Sequence, residues 1–127
     1  MYHNILQPRV VLLVDDENAI RKMVRMILER AGYIVLDAEN GKEGLDLCQS
    51  HPGPIDLLLS DIIMPELGGR ELAEGALKLR PHLKIVFMSG YHEDTLLNGA
   101  VRMSAAFLRK PFTPQDLAVT VSATLSL

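Results

Sequence analysis

The sequence is poor in several features that each mark a special class of protein. It has one cysteine, Cys48, and no tryptophan. A single cysteine cannot form a disulfide within the chain, which argues against a disulfide-stapled secreted domain and leaves Cys48 as a small core residue. The apolar run near the start, Val10 to Val14, is far shorter than the ~20 residues of a membrane-spanning helix, and the opening MYHNILQPR lacks a signal-peptide pattern. We therefore expect a protein of the reducing cytoplasm that is not inserted in a membrane.

Basic residues are also too few and too scattered to form a nucleic-acid footprint. Lys and Arg number 13 against 16 Asp and Glu, which gives a formal charge of -3. Direct binding of DNA or RNA is therefore not expected. The 127 residues, 48% of them hydrophobic and 23% charged, suit one folded domain and are too few for two ordinary ones. We assign residues 1–8 to an N-terminal tail and residues 9–127 to a single domain.

Five short runs have the composition and length of β-strands, and helical patterns separate them. The predicted strands are Val10 to Val14, Ile34 to Ala38, Ile55 to Ser60, Lys84 to Met88 and Ala106 to Arg109. Continuous apolar strands such as VVLLV are typical of sheets that are buried on both faces.

The first and last helices have the clearest patterns. The predicted apolar stripe of the first helix consists of Ile20, Met23, Val24, Ile27 and Ala31. The fifth helix is predicted to begin at Thr113 as the cap, with Pro114 and Asp116 in its first turn, and to bury Leu117, Val121 and Leu125.

Three further helices are predicted between the strands. They run over Gly41 to Ser50, Arg70 to Arg80 and about Asp94 to Val101, and Pro81 ends the third of the five. We expect the fourth helix to be short, because Asn98 and Gly99 are poor residues for a helix interior. Strand and helix alternate five times, so the predicted fold class is α/β, a single doubly wound five-stranded parallel sheet with five helices on its two faces.

Polar residues follow four of the predicted strands, at the edge where parallel sheets bind ligands. They are Asp15 and Asp16 after the first strand, Asp61 after the third, Ser89 after the fourth and Lys110 after the fifth. Singly, each has an ordinary interpretation as a helix cap, a turn residue or a solvated side chain. Together they predict a cation site, because close carboxylates repel by roughly 4 kcal/mol per pair at an effective dielectric of 20.

The ligand set at this edge favours a hard ion. Carboxylates without histidine or cysteine suit Mg²⁺, which typically joins one or two carboxylates to a phosphate. A carboxylate can also attack phosphorus and form an aspartyl phosphate, while a metal ion and a lysine neutralise charge on the transferring group.

Four segments give the chain a specific resemblance to a known family. They are VLLVDDE at 11–17, SDIIMPELGG at 60–69, FMSGY at 87–91 and FLRKPF at 107–112. From Arg9 to Leu125 the chain resembles the receiver domain of two-component response regulators, and FMSGY with FLRKPFTPQDL looks like receivers attached to hybrid histidine kinases. The resemblance implies a flavodoxin-like fold with strand order 2-1-3-4-5.

The resemblance also implies a role for each residue of the acidic cluster. Asp61 would be the phosphoacceptor, Asp16 a direct Mg²⁺ ligand and Asp15 a ligand acting through water. The backbone carbonyl of Ile63 would be a further ligand, and Gly69 matches the glycine that closes the loop after the third strand.

Further roles follow for residues on the fourth and fifth strands. Ser89 would donate a hydrogen bond to a phosphoryl oxygen and Lys110 would pair with another. The peptide bond between Lys110 and Pro111 is predicted to be cis. Phe107 would be the aromatic switch; a tyrosine is frequent at this position, and Phe107 has no hydroxyl, so it can signal only by shape.

Two positions of this pattern are expected to set the lifetime of the phosphorylated state. The residues two beyond the acceptor and two beyond the hydroxyl are Ile63 and Tyr91. Neither side chain can orient an attacking water and both are bulky, so we expect a long-lived aspartyl phosphate.

The implied function is a phosphorylation switch rather than an enzyme. Its phosphoryl donor would be a histidine kinase or a histidine phosphotransfer domain, and its output a downstream protein, a fused domain or a homodimer through the face of the fourth helix, fifth strand and fifth helix. Two other functions are considered. An aspartate-nucleophile phosphatase of the haloacid dehalogenase type usually has a second Asp two residues after the nucleophile, where this chain has Ile63. A flavodoxin-like binding module would bring its phosphate against Asp15 and Asp16.

Overall fold

The computed structural model describes residues 7–90, 93–97 and 99–127, so that residues 1–6 of the predicted tail lie outside the described part. Strands and helices alternate along the chain as predicted. The strands are β1 (Val10–Val14), β2 (Ile34–Ala38), β3 (Leu57–Asp61), β4 (Lys84–Ser89) and β5 (Ala105–Arg109). The helices are α1 (Asn18–Arg30), α2 (Gly41–Ser50), α3 (Gly69–Leu79), α4 (Gly99–Ser104) and α5 (Pro114–Leu125), with a 3₁₀ turn at Glu93–Leu96.

All five strands lie in one parallel sheet in the order β2-β1-β3-β4-β5, which confirms the predicted order. Successive side chains of each strand point to opposite faces, so two apolar layers form. On β1, Leu12 and Val14 face one layer, whereas Val11 and Leu13 face the other. Burial on both faces explains why the strands are continuous apolar runs.

The buried face of α1 differs from the predicted stripe. Val24 and Leu28 are fully buried, whereas Met23 is 42% exposed and Ala31 lies beyond the last residue of the helix. The face centred on Val24 and Leu28 packs on the sheet, and this leaves Met23 at its edge. The predicted apolar stripe omitted Leu28, which is buried, and included Met23 and Ala31, which are exposed.

The fourth helical segment also departs from the prediction of one helix over Asp94 to Val101. The chain forms a 3₁₀ turn at Glu93–Leu96 and then the six-residue α4. Gly99 has a φ of +62°, a left-handed conformation that interrupts a right-handed helix. The sheet is therefore covered by four helices of ten or more residues, α1, α2, α3 and α5, and by this short broken segment.

The predicted start of α5 is confirmed in detail. The Thr113 hydroxyl accepts a hydrogen bond from the Asp116 amide at 3.0 Å, and the Asp116 carboxylate accepts one from the Thr113 amide at 3.0 Å, with Pro114 in the first turn. This reciprocal pair fixes the chain directly after Lys110 and Pro111. Cys48 is buried, as predicted. In the described part of the chain, every helix is too short or too polar to cross a bilayer.

Candidate functional site

The four strand ends bring the predicted polar residues to one edge of the sheet. Asp15 directly follows β1, Asp61 and Ser89 are the last residues of β3 and β4, and Lys110 directly follows β5. Asp15, Asp61 and Ser89 are buried. Residues from opposite ends of the chain therefore share one small polar site above an apolar core.

Three carboxylates form the acidic part of the site. One oxygen from each of Asp15, Asp16 and Asp61 lies within 4.8 Å of the others, with Asp16 facing solvent. Asp15 Oδ1 accepts a hydrogen bond from the Glu17 amide at 2.8 Å. Asp15 Oδ2 is buried and accepts none from any residue in the described ranges. Buried polar atoms normally have partners, so an oxygen left open inside an all-oxygen cluster fits a hard cation such as Mg²⁺.

Lys110 contacts the acidic cluster directly. Its Nζ lies 2.6 Å from Asp61 Oδ1. Burial and the neighbouring Asp15 raise the pKa of Asp61 to about 7, although Lys110 acts in the opposite direction. Burial alone would lower the pKa of Lys110, but its contact with Asp61 raises that pKa overall. The site thus holds a fixed positive charge beside a carboxylate that is costly to ionise without a further cation.

A tight loop positions Asp61 from the other side. The Gly69 amide donates to the Ile62 carbonyl at 2.8 Å, and a Cβ at Gly69 would overlap the Asp61 carbonyl oxygen. The Ser60 hydroxyl donates to that same Asp61 carbonyl at 2.8 Å. Glycine is thus required at position 69 because the loop returns against the end of β3.

Of the four residues predicted to act in signalling or in phosphate lifetime, the structure describes Ser89, Phe107 and Ile63. The Ser89 hydroxyl is buried and has no hydrogen-bond partner in the described part of the protein. Phe107 on β5 is half-buried, and its ring centroid lies 6.1 Å from that of Phe87 with a 33° tilt. Ile63 is 56% exposed beside Asp61 in sequence. Tyr91, the other predicted lifetime residue, lies outside the described residues.

An apolar pocket of about 370 Å³ adjoins Lys110 between α1 and the start of α5. The predicted cis peptide between Lys110 and Pro111 is confirmed, and both residues line this pocket. Ile20, Met23 and Phe112 supply the remaining walls.

Arg21 also reaches the site, which the sequence analysis did not anticipate. Its Nη1 donates to the backbone carbonyl of Asp15 at 2.7 Å. The sequence carried only a weak signal, because a cation in the first turns of a helix is unfavourable toward the helix dipole.

Comparison with known proteins gives consistent matches. A family model described as the response regulator receiver domain matches residues 11–122. The sensor kinase CckA of Brucella abortus is 39% identical over 116 residues, which are 91% of this chain but only 12% of that protein. The response regulator receiver protein CpdR of the same organism is 39% identical over 108 residues, or 84% of this chain and 88% of that protein.

A solved structure agrees with both relatives. The receiver domain from the hybrid histidine kinase CckA superposes with a TM-score of 0.77 at 32% identity, covering 91% of this chain and 98% of that domain.

Proposed function

The chain belongs to the response regulator receiver domain family of two-component signalling, and on that premise we propose that Asp61 accepts a phosphoryl group from a phosphohistidine. The main support for this proposal is the position of the buried Asp61, which contacts Lys110 and has a carboxylate oxygen within 4.8 Å of oxygens of Asp15 and Asp16. This arrangement offers a nucleophilic oxygen, a fixed positive charge and an open metal-binding oxygen together.

The proposed transfer moves one phosphoryl group and takes up one proton, which solvent supplies to the leaving imidazole. A carboxylate oxygen of Asp61 attacks phosphorus, and an O–P bond forms as the N–P bond to the donor imidazole breaks. The imidazole nitrogen keeps the electron pair and takes up a proton. Lys110 neutralises charge on one phosphoryl oxygen and the Ser89 hydroxyl, which has no partner among the described residues, donates to another.

The residues that would hold Mg²⁺ are Asp16 and Asp61 directly, Asp15 through water, and the backbone carbonyl of Ile63. When bound, the ion would offset the repulsion between the carboxylates and the incoming phosphoryl dianion.

The proposed switch links this site to β5, the strand at one edge of the sheet. Movement of Ser89 toward the phosphoryl group would leave space that Phe107 can enter, and Phe107 is half-buried and free of any hydroxyl that would need a partner. The changed face of α4, β5 and α5 would then bind a downstream protein, a fused domain or a second copy. On that face Val119 is 59% exposed.

The proposed donor is a histidine kinase or a histidine phosphotransfer domain that docks over the pocket beside Lys110. A donor must bring its phosphorus within bonding distance of Asp61, so it has to cover the surface around Lys110. The apolar walls of that surface, Ile20, Met23 and Phe112, suit the apolar face of a helix. A histidine kinase draws the phosphoryl group from cytoplasmic ATP, whether it reaches Asp61 directly or through a phosphotransfer domain, so the cytoplasm is the proposed location.

The family match favours a switch over the two functions considered from sequence. It spans residues 11–122, nearly the whole domain. In addition, Ile63, at the position of the second aspartate of a haloacid dehalogenase phosphatase, can neither donate nor accept a proton. We therefore propose a phosphoacceptor that at most loses its own phosphate slowly.

The test is labelling by a small phosphodonor. Acetyl phosphate with Mg²⁺ should phosphorylate the parent and an Asp46→Asn control, in which an exposed carboxylate on α2 is changed. Asp61→Asn should take up no hydroxylamine-labile acyl phosphate, because an amide is not the nucleophile. Undiminished labelling of Asp61→Asn would contradict the assignment.

A further inference from the structure

Arg21 makes an unusual set of contacts for a residue on a surface helix. Its side chain is only 12% exposed. Nη1 donates to the backbone carbonyl of Asp15 at 2.7 Å, and Nη2 donates to the Asn18 side-chain oxygen at 2.7 Å. The guanidinium thus joins the first turns of α1 to the residue that begins the acidic cluster.

The carbonyl that Arg21 holds belongs to the peptide between Asp15 and Asp16. Fixing this carbonyl restricts ψ of Asp15 and φ of Asp16, and these angles set the direction of the Asp16 side chain relative to that of Asp15. The rest of Asp15 is also fixed, since its amide donates to Ala38 at 3.2 Å and its Oδ1 accepts from Glu17. Arg21 completes this set of restraints on the loop between β1 and α1.

The charge of Arg21 is directed away from the ligand oxygens. Its Nε lies 3.9 Å from Asp37 Oδ2, and Asp37 on β2 also pairs with Arg25 at 3.0 Å. Asp37 thereby helps to orient the guanidinium, which donates to the Asp15 backbone and leaves the Asp15 Oδ2 atom open. An arginine contacting that oxygen would instead compete with a metal ion.

We propose that Arg21 is a positioning residue for the metal site: its guanidinium fixes the Asp15–Asp16 peptide so that both carboxylates converge with Asp61 on a divalent cation. The inference rests on the proposed function, because that function places a divalent cation at the carboxylates that Arg21 positions. Removal of a group that hydrogen-bonds to a metal ligand and orients it typically weakens metal affinity about 10–100-fold.

The experiment is an Mg²⁺ titration followed by backbone amide NMR, with urea unfolding of each variant in chelator. Arg21→Ala should raise the Kd for Mg²⁺ about tenfold or more, and it should shift the Asp16 and Glu17 amide signals even without metal. Arg21→Lys, whose single ammonium can reach the Asp15 carbonyl, should recover part of the affinity.

Arg25→Ala is the matched control. This substitution removes a cation that lies on the same helix and pairs with the same Asp37. The Arg25 side chain has no contact with the Asp15 backbone in the described structure. Its Kd should stay within twofold of the parent value, even if its stability falls as much as that of Arg21→Ala.

Equal Mg²⁺ affinity in the parent and Arg21→Ala would overturn the positioning role while leaving the proposed function intact. An equal loss in Arg25→Ala and Arg21→Ala would also overturn it, since general stabilisation of α1 would then suffice. A parent protein without measurable Mg²⁺ binding would contradict the proposed function itself, and with it this inference.

Discussion

At the scale of single residues, the site is built from groups that would be unfavourable anywhere else in the core. Asp15 Oδ2 and the Ser89 hydroxyl are buried without partners in the described part of the chain, and Asp61 is buried beside another acid. The sequence predicted which residues meet, because each follows a strand. It did not predict the proton affinity of Asp61 or the role of Arg21, because burial and hydrogen-bond partners depend on the packed structure.

The raised pKa of Asp61 predicts a pH-dependent stability in the absence of metal. The folded protein keeps a proton on Asp61 up to about pH 7, whereas the unfolded chain loses it near 3.8. This group therefore lowers the free energy of unfolding as pH rises from about 4 to about 7. Asp61→Asn, which stays neutral, should be more stable than the parent in chelator at pH 8 by about 1 to 3 kcal/mol.

Urea unfolding at pH 5 and pH 8 checks this prediction. The stability gain of Asp61→Asn should be smaller at pH 5. At that pH the parent has lost only part of the stability that its raised Asp61 pKa removes between about pH 4 and pH 7. It should also shrink at pH 8 in excess Mg²⁺, because a bound cation favours the ionised carboxylate. A gain independent of pH would contradict the account of Asp61.

The lifetime of the aspartyl phosphate tests the role of Ile63 and Tyr91. A variant carrying Ile63→Asn and Tyr91→Glu should lose phosphate severalfold faster than the parent, since polar side chains can orient water and exclude it less. Phosphate release after removal of the donor measures this rate. Ile34→Asn, at a 47% exposed isoleucine on β2, is the control and should match the parent. A double variant as slow as the parent would refute the shielding role.

At the scale of elements, the sequence predicted the bounds of a strand or helix best where the signals for its start and end lie within that element. β1, β2 and α2 have the predicted bounds, and the Thr113 and Asp116 cap of α5 forms as expected. The α1 stripe was misjudged because residues on both borders of a helical face are apolar, and only packing decides which ones the sheet covers. The fourth segment broke at Gly99 because a single left-handed residue outweighs a weak helical pattern.

The exposed side of α1 beside the pocket offers a test of the proposed docking of a histidine kinase. Met23→Glu, beside the pocket that adjoins Lys110, should slow phosphotransfer from a cognate histidine kinase at least tenfold, because a charge would be buried against the apolar face of the donor. Labelling by acetyl phosphate should be unchanged, since that donor needs no docking surface.

Met26→Glu is the matched control for this surface. Met26 is 50% exposed on the same helix but does not line the pocket. Its kinase transfer rate should stay near that of the parent. Equal slowing by both substitutions, or none by Met23→Glu, would remove the pocket from the proposed docking surface.

At the scale of the whole molecule, the parallel sheet explains why distant residues form one site. The carboxyl ends of neighbouring strands meet at one edge, so Asp15, Asp61, Ser89 and Lys110 converge although β1 and β5 lie near opposite ends of the chain. Alternating strands and helices predicted this architecture. The strand order came from the family resemblance, because hydrophobic periodicity alone does not say which strands are neighbours.

The most direct test of the account is to identify the residue that carries the phosphoryl group. After phosphorylation by acetyl phosphate or a histidine kinase in Mg²⁺, borohydride reduces an aspartyl phosphate to homoserine, which mass spectrometry of the peptides can map. We expect homoserine at position 61, and none when Mg²⁺ is removed by chelator before phosphorylation. Homoserine at position 15 or 16, or hydroxylamine-stable phosphate on a hydroxyl side chain, would contradict the assignment.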